Sequence, residues 1–244
     1  NGASNTTGPI DIDALDTATI SGAMDSVAGD IDVTGSAVTT AGTITTAGDI
    51  NIDAFTTDAT IGAKVTSTGS DVEINAEVNV GLGANVIGDN VTAQANTGDV
   101  NVTAALDNSR GGYDFTGGDQ VVVTGNITAA DGIRLQGLSA DVDALSLEGT
   151  LTAGTDITLT GGVTQSGALT VKSTNGSVTI ANVVATGANT LTVNALQGNA
   201  ALPSIGGASP ALDVNASTAT LNGGAITTDG TINFEDTDLT TLAA

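Results

Sequence analysis

Carboxylates dominate the side chains that could do chemistry: 27 Asp and Glu stand against 4 Lys and Arg, with no His and no Cys. Five of the acids share one context, with a turn residue before and an aliphatic residue after. They are Asp30 in GDIDV, Asp49 in GDINI, Asp71 in SDVEI, Asp99 in GDVNV and Asp156 in TDITL. Stacked strands place equivalent residues about 4.8 Å apart, so Asp30, Asp49 and Asp71 would form a column of like charge. In water each neighbouring pair repels by about 0.9 kcal/mol. Hard cations take oxygen ligands, and Ca²⁺ held by Asp30, Asp49 and Asp71 would remove that repulsion. The alternative is that the carboxylates splay into water and are screened by salt. The column also predicts that folding raises the proton affinity of these acids.

Other chemistry has fewer candidates. The cations are Lys64, Arg110, Arg134 and Lys172, and the absence of His removes the commonest acid–base group. No catalytic residue is assigned, and the reading is of a protein that is not an enzyme. Paired carboxylates running glycoside hydrolysis are the enzymatic alternative. The stretch GLGANVIG, Gly81–Gly88, lacks the Lys, the spacing and the following helix of a phosphate loop, and reads as a bend. No cofactor other than Ca²⁺ is indicated. The stretch Ala105–Gln120, ALDNSRGGYDFTGGDQ, holds the only Tyr and one of three Phe. It reads as a protruding loop on which Arg110, Tyr113 and Phe115 make a contact patch for a sugar or a protein. Alternatively its aromatics fold over the flank of the molecule.

Such residues need elements to position them, and the sequence offers strands. Apolar residues alternate at a period of two, Thr, Val and Ile are abundant, and 33 Gly punctuate the chain. The strands also recur. Ile10 to Ile31 is 21 residues, Ile31 to Ile50 is 19, Ile157 to Val178 is 21 and Leu191 to Leu212 is 21. A hairpin protein has no reason to return to the same short strand at that interval, whereas each coil of a solenoid must. The fold class is therefore all-β, a right-handed parallel β-helix (β-solenoid) of roughly 19–24 residues per coil, with two or three strands in each. Residues 1–244 form a single rod of about 50 Å. Ile31, Ile50, Val72, Ile157 and Val178 take equivalent inward positions. The interval from Val72 to Val100, 28 residues, and the loop at 105–120 break the rhythm.

Charge and composition exclude several partners. A formal net charge of −23 argues against nucleic acid and anionic membrane surfaces. No apolar run approaches the roughly 18 residues of a membrane helix, so no membrane insertion is expected. The stretch Thr152–Ala195, a cycle of Gly, polar, aliphatic, polar and aliphatic residues closed by a Gly or Asn turn, resembles the filamentous haemagglutinin family of bacterial exported adhesins. It is also similar to the β-helical passengers of related secretion systems. The family's Asn-Pro-Asn-Gly secretion signature is missing, so the resemblance implies shaft rather than tip. It implies an extracellular or cell-surface rod and carries over no functional residues. The expected function is a structural or adhesive rod, the shaft of a surface adhesin or a filament subunit. It would associate end to end, because terminal strand edges are unpaired, and would meet a carbohydrate or cell-surface partner. An ice-binding solenoid is a further alternative, on the T-x-T triplets at Thr17, Thr43, Thr158, Thr190 and Thr218.

Overall fold

The computed structural model describes residues 4–139, 144–182, 184–185, 189–206, 211–222, 226–227, 231–235 and 238–242. The alternating pattern folds into thirty strands, and every pairing between them is parallel. No helix occurs among the described residues, and so none is long and apolar enough to cross a membrane. The chain winds as a parallel β-solenoid of about ten turns with about 21 residues in each.

Each turn carries three strands, one on each face. In one coil these are Ile50–Ala54, Ala59–Ile61 and Val65–Ser67. The inward column of the first face runs Ile10, Ile31, Ile50, Val72, Val91, Tyr113, Ile133, Ile157, Val178 and Ala200, each paired with the next. All five residues expected at equivalent inward positions lie in it, and all are buried. The second face stacks Ala18, Val38, Ala59, Val80, Val100, Val121, Leu145, Val163 and Val184. The third includes Met24, Ile44, Val65 and Val86, and later Leu106, Ile127, Leu151 and Val171. One apolar core joins the three columns from Ala18 to Leu221. In the carboxyl-terminal half, strands such as Leu145–Ala153 and Leu191–Leu202 bend from one face onto the next without a break. In the first of these, Gly149 takes the corner at a φ of 85°, a conformation that favours glycine.

Two expectations are corrected. Val72 pairs with Val91, 19 residues on, and Val100 pairs with Val80 on the second face. The apparent break was a comparison across faces: Val80–Leu82 and Val86–Ile87 are the second and third strands of an ordinary coil. Residues 105–120 likewise do not protrude. They supply Leu106–Asn108 to the third face and Gly112–Gly117 to the first, both paired on either side or into the next coil.

Polar residues also stack inside, at the corner between the third and first faces. Ser26, Thr46, Ser67 and Ser173 are buried there. Each hydroxyl donates to a carbonyl of the preceding coil's turn and accepts an amide of its own. Ser67 Oγ donates to Gly48 O at 2.8 Å and accepts from Ser70 N at 3.0 Å. Ser173 Oγ does the same with Thr155 O at 2.6 Å and Gly176 N at 2.9 Å. A buried corner therefore keeps its backbone groups paired.

The core opens at its amino-terminal end. Ile10, Ile12 and Ala14 are only partly buried, and with Ala18, Ile20 and Met24 they line an apolar cavity of about 350 Å³.

Two variants test the core. Ile50→Asp places an unpaired charge between Ile31 and Val72, and it should abolish the cooperative thermal transition of the parent; a parent-like melt would mean that position 50 does not face inward. Thr40 is fully buried between Ile20 and Ile61, and its hydroxyl has no partner. Thr40→Val should raise stability by about 1 kcal/mol in denaturant melts, because it removes an unsatisfied hydroxyl at constant shape. A loss of stability would show that the hydroxyl is bonded.

Candidate functional site

The acids that recur ahead of each strand build one ladder along a corner. Asp30 Oδ1 accepts the backbone N–H of Asp49, one coil on, at 2.9 Å. Asp49 Oδ1 accepts the N–H of Asp71 at 3.1 Å and the hydroxyl of Ser70. Asp71 Oδ1 accepts both the backbone and the side-chain N–H of Asn90, each at 2.9 Å. Further along, Asp156 Oδ1 accepts the N–H of Ser177 at 2.7 Å. A second ladder of the same kind follows the corner between the first and second faces, from Asp58 to Asn79, Asp99 and Gln120. These residues lead into strands, where the turn leaves an N–H without a strand partner. A side-chain oxygen from the coil before fills that place.

Glycine before the acid belongs to the same device. A Cβ on Gly48 would collide with Asp30 Oδ1 and one on Gly98 with Asn79 Oδ1, and Gly176, which precedes Ser177, leaves the same room for Asp156 Oδ1. The Gly-Asp pair therefore serves two coils: the Asp caps the next one, and the Gly leaves room for the Asp of the one before.

Asp30, Asp49 and Asp71 thus stand in the expected column, where each has a structural task as an acceptor for the next coil. Each commits an oxygen to an amide, and among the described residues no group of three or more Asp, Glu, His or Cys converges as a metal-ligand set. The expected direction of the proton affinity is reversed at Asp49. The Ser70 hydroxyl first, and then the Asp71 amide, hold its carboxyl below the ordinary value of 3.8.

The remaining expected residues do not form a surface patch. Tyr113 and Phe115 occupy inward positions of the first face, with 2% and 0% of their surface exposed. Their ring centroids lie 5.3 Å apart, and the Tyr113 hydroxyl donates to Val86 O at 2.9 Å. Burial pushes the Tyr113 phenol well above its ordinary pKa. Arg110 stays outside, paired with Asp89 through Nε at 3.0 Å and Nη2 at 2.6 Å. The readable signal was the alternation in GYDFTG: Tyr113 and Phe115 stand two apart between glycines, as Val91 and Ala93 do one coil earlier.

A shallow groove missed in the sequence lies beside them. Gly112 and Gly132 occupy the corner column between Asn90 and Asp156, and with no side chains there the ladder is interrupted. The groove left is about 280 Å³, bounded by Asn90, Asp114, Asp131, Arg134, Asp156 and Thr158. Arg134 Nη1 donates to both oxygens of Asp114, at 2.6 and 2.9 Å, and Nη2 donates to Gln136. Asp131 Oδ1 accepts from Thr155 at 2.9 Å. Guanidinium donors and carboxylate acceptors around an open floor suit polar contacts with a ligand's hydroxyl or amide groups. Two consecutive glycines where neighbouring coils carry Asx were the sequence signal for it.

No family model, curated protein or solved structure matches the chain.

Asp49→Ala removes the acceptor for two donors in a half-exposed corner, and above pH 5 it should cost on the order of 1 kcal/mol. The sign with pH follows from the depressed carboxyl. A group with a folded pKa below its unfolded one stabilises above the unfolded value and loses that contribution as pH falls through the folded value. Thermal melts of parent and variant should therefore converge as pH is lowered from 5 to 2. A gap that widens toward low pH would contradict the bonding seen at Asp49.

Proposed function

We propose that this chain is an extracellular structural or adhesive rod, the shaft of a surface adhesin or a filament subunit, whose coils are continued end to end. The observation that carries this reading is the open amino-terminal mouth of the core, where Ile10, Ile12, Ala14 and Met24 line an apolar cavity. Such a surface, beside strands that have a single partner among the described residues, is suited to cover by another coil, from the same chain or from a second copy. The sequence resemblance of Thr152–Ala195 to exported adhesin shafts agrees with that architecture and supports a secreted or surface-attached location.

The groove at Gly112 and Gly132 is the point on the rod best suited to a polar contact, such as a carbohydrate or a cell-surface partner. As a catalytic centre it has less in its favour, being shallow and with Arg134 engaged by Asp114 and Gln136. The ice-binding alternative loses its basis, because the triplets at Thr17 and Thr158 lie on the second and first faces, and Thr192 lies on the third. No flat array of Thr triplets on one face results.

Electron microscopy of the full chain should show particles longer than the roughly 50 Å of ten stacked coils. Ile12→Glu places a charge at the open mouth; it should leave the β-type circular dichroism unchanged and shorten the particles to single rods. Single rods from the parent, or equally long particles from the variant, would overturn end-to-end continuation through this mouth.

A further inference from the structure

The 27 acids are not spread evenly around the rod. The first face carries Asp32, Asp53 and Glu73 on its outer surface, and the third carries Asp25, Asp107 and Asp213. On the second face the central outward column carries none among the described residues, and its acids Asp58 and Asp99 stand in the column two residues earlier. Its outward column from Thr19 to Ala185 passes through Thr39, Thr60, Asn101, Val122, Ser146 and Thr164, and among the described residues it holds no charged side chain. In a chain with a formal net charge of −23, this is the one face on which two copies can meet without stacking carboxylates on carboxylates.

We propose that the second face is a lateral interface at which two copies of this chain pair face to face, with their rods parallel. Nine coils at about 4.8 Å and strands of about three residues, about 10 Å, give about 430 Å² of sheet per copy, the scale of a weak and reversible interface rather than the roughly 800 Å² per partner of a standard one. The outward side chains are short, as close packing of two flat sheets at about 10 Å requires.

Orientation follows from the two rims of that face. The rim toward the first face is acidic, with Asp58, Asp99 and Asp119; the rim toward the third carries Lys64 and a single acid, Glu148. A two-fold axis in the interface and along the strand direction would make the rods antiparallel and set acidic rim on acidic rim. A two-fold axis along the rod sets the acidic rim of each copy against the weakly charged rim of the other. Like charges in register disfavour the first arrangement, so the pair is parallel and isologous. This inference does not depend on end-to-end continuation, which uses a different surface.

The experiment is sedimentation of the full chain with solution scattering, together with cysteine cross-linking. With end-to-end growth blocked by Ile12→Glu, the chain should dimerise without increasing its maximum dimension beyond that of one rod. Thr60→Asp with Asn101→Asp, both outward, should weaken dimerisation by about tenfold or more, with circular dichroism and melting temperature unchanged. Thr92→Asp, outward on the first face, should leave the dimer intact. Since the chain has no Cys, Thr39→Cys and Ser146→Cys can each be tested alone. A parallel pair brings each residue opposite its own copy, so both variants form covalent dimers with a short bismaleimide cross-linker, which spans the gap of about 10 Å between facing sheets that a disulfide does not. Dimers from neither variant, or from only one of the two, would refute the parallel arrangement. A chain that stays monomeric when it carries Ile12→Glu, or a dimer indifferent to acids at positions 60 and 101, would refute the interface itself.

Discussion

Parallel pairing of each coil with the next governs the rest of this molecule. A backbone ladder repeating at about 4.8 Å sets every residue over its equivalent, so a side chain must suit neighbours of its own kind above and below. Ile, Val and Leu do so by stacking branched surfaces, and they fill the inward columns almost without exception. Aromatic rings suit a narrow interior poorly, which accounts for a core with so few of them. Phe115 is accommodated because Ala93 lies on one side of it in the column. Tyr113 is accommodated because Val86 O lies within reach of its hydroxyl. Both aromatics fall in the same strand, so the interior has to widen at a single coil.

The same stacking creates a difficulty at the corners and supplies its solution. Within strands the ladder pairs every amide, but the turn residues ahead of a strand have no strand opposite them. A short side chain with an acceptor oxygen, repeated at that position, reaches the amide one coil on. Asp, Asn and Ser all appear in that role, at Asp30, Asn79 and Ser177. The mixture shows that the oxygen matters more than the charge. Asp remains frequent because a carboxylate makes the stronger hydrogen bond, and the amide it receives offsets part of the repulsion from the next carboxylate. Inside the corner, Ser67 and Ser173 perform the matching task for the buried half of the turn.

Much of the fold was legible because it is written as repetition. The spacing of Ile31, Ile50 and Val72, and the alternation on either side of each, give the solenoid and its inward face directly. What was not legible came from comparing positions that look alike but lie on different faces. Val100 resembles Val72 in its GDVNV setting, yet the three-strand coil places it over Val80. Tyr113 and Phe115 were misplaced for a related reason: rare residue types drew attention away from their alternation, which is the property that decides inside from outside. The acids were found in the right column, but the sequence shows only which residues stack, whereas their task depends on the amide that each oxygen reaches. The groove at Gly112 and Gly132 is an absence of side chains, and an absence becomes visible only once the register tells which Asx residues the glycines replace.

Because each outward position is a column of its own, the three faces can hold different chemistry with no cost to the core. Replacing Thr60 leaves Ala59 and Ile61 facing inward as before, so charge can be gathered on some faces and withheld from another while the inward columns stay constant. That independence gives an uneven charge distribution a physical consequence. A rod with acids on every face would repel its copies from every direction, and only its ends could pair. A rod with one outward column free of charge can also approach sideways, in the orientation that its rims allow. The ends present apolar surface and strand edges, the second face presents a flat sheet with an uncharged central column, and the first and third faces present carboxylates to solvent. The proposed growth along the axis and the proposed pairing across it thus rest on different residues, Ile12 in the first case and Thr60 in the second, and each can change by substitution without disturbing the other.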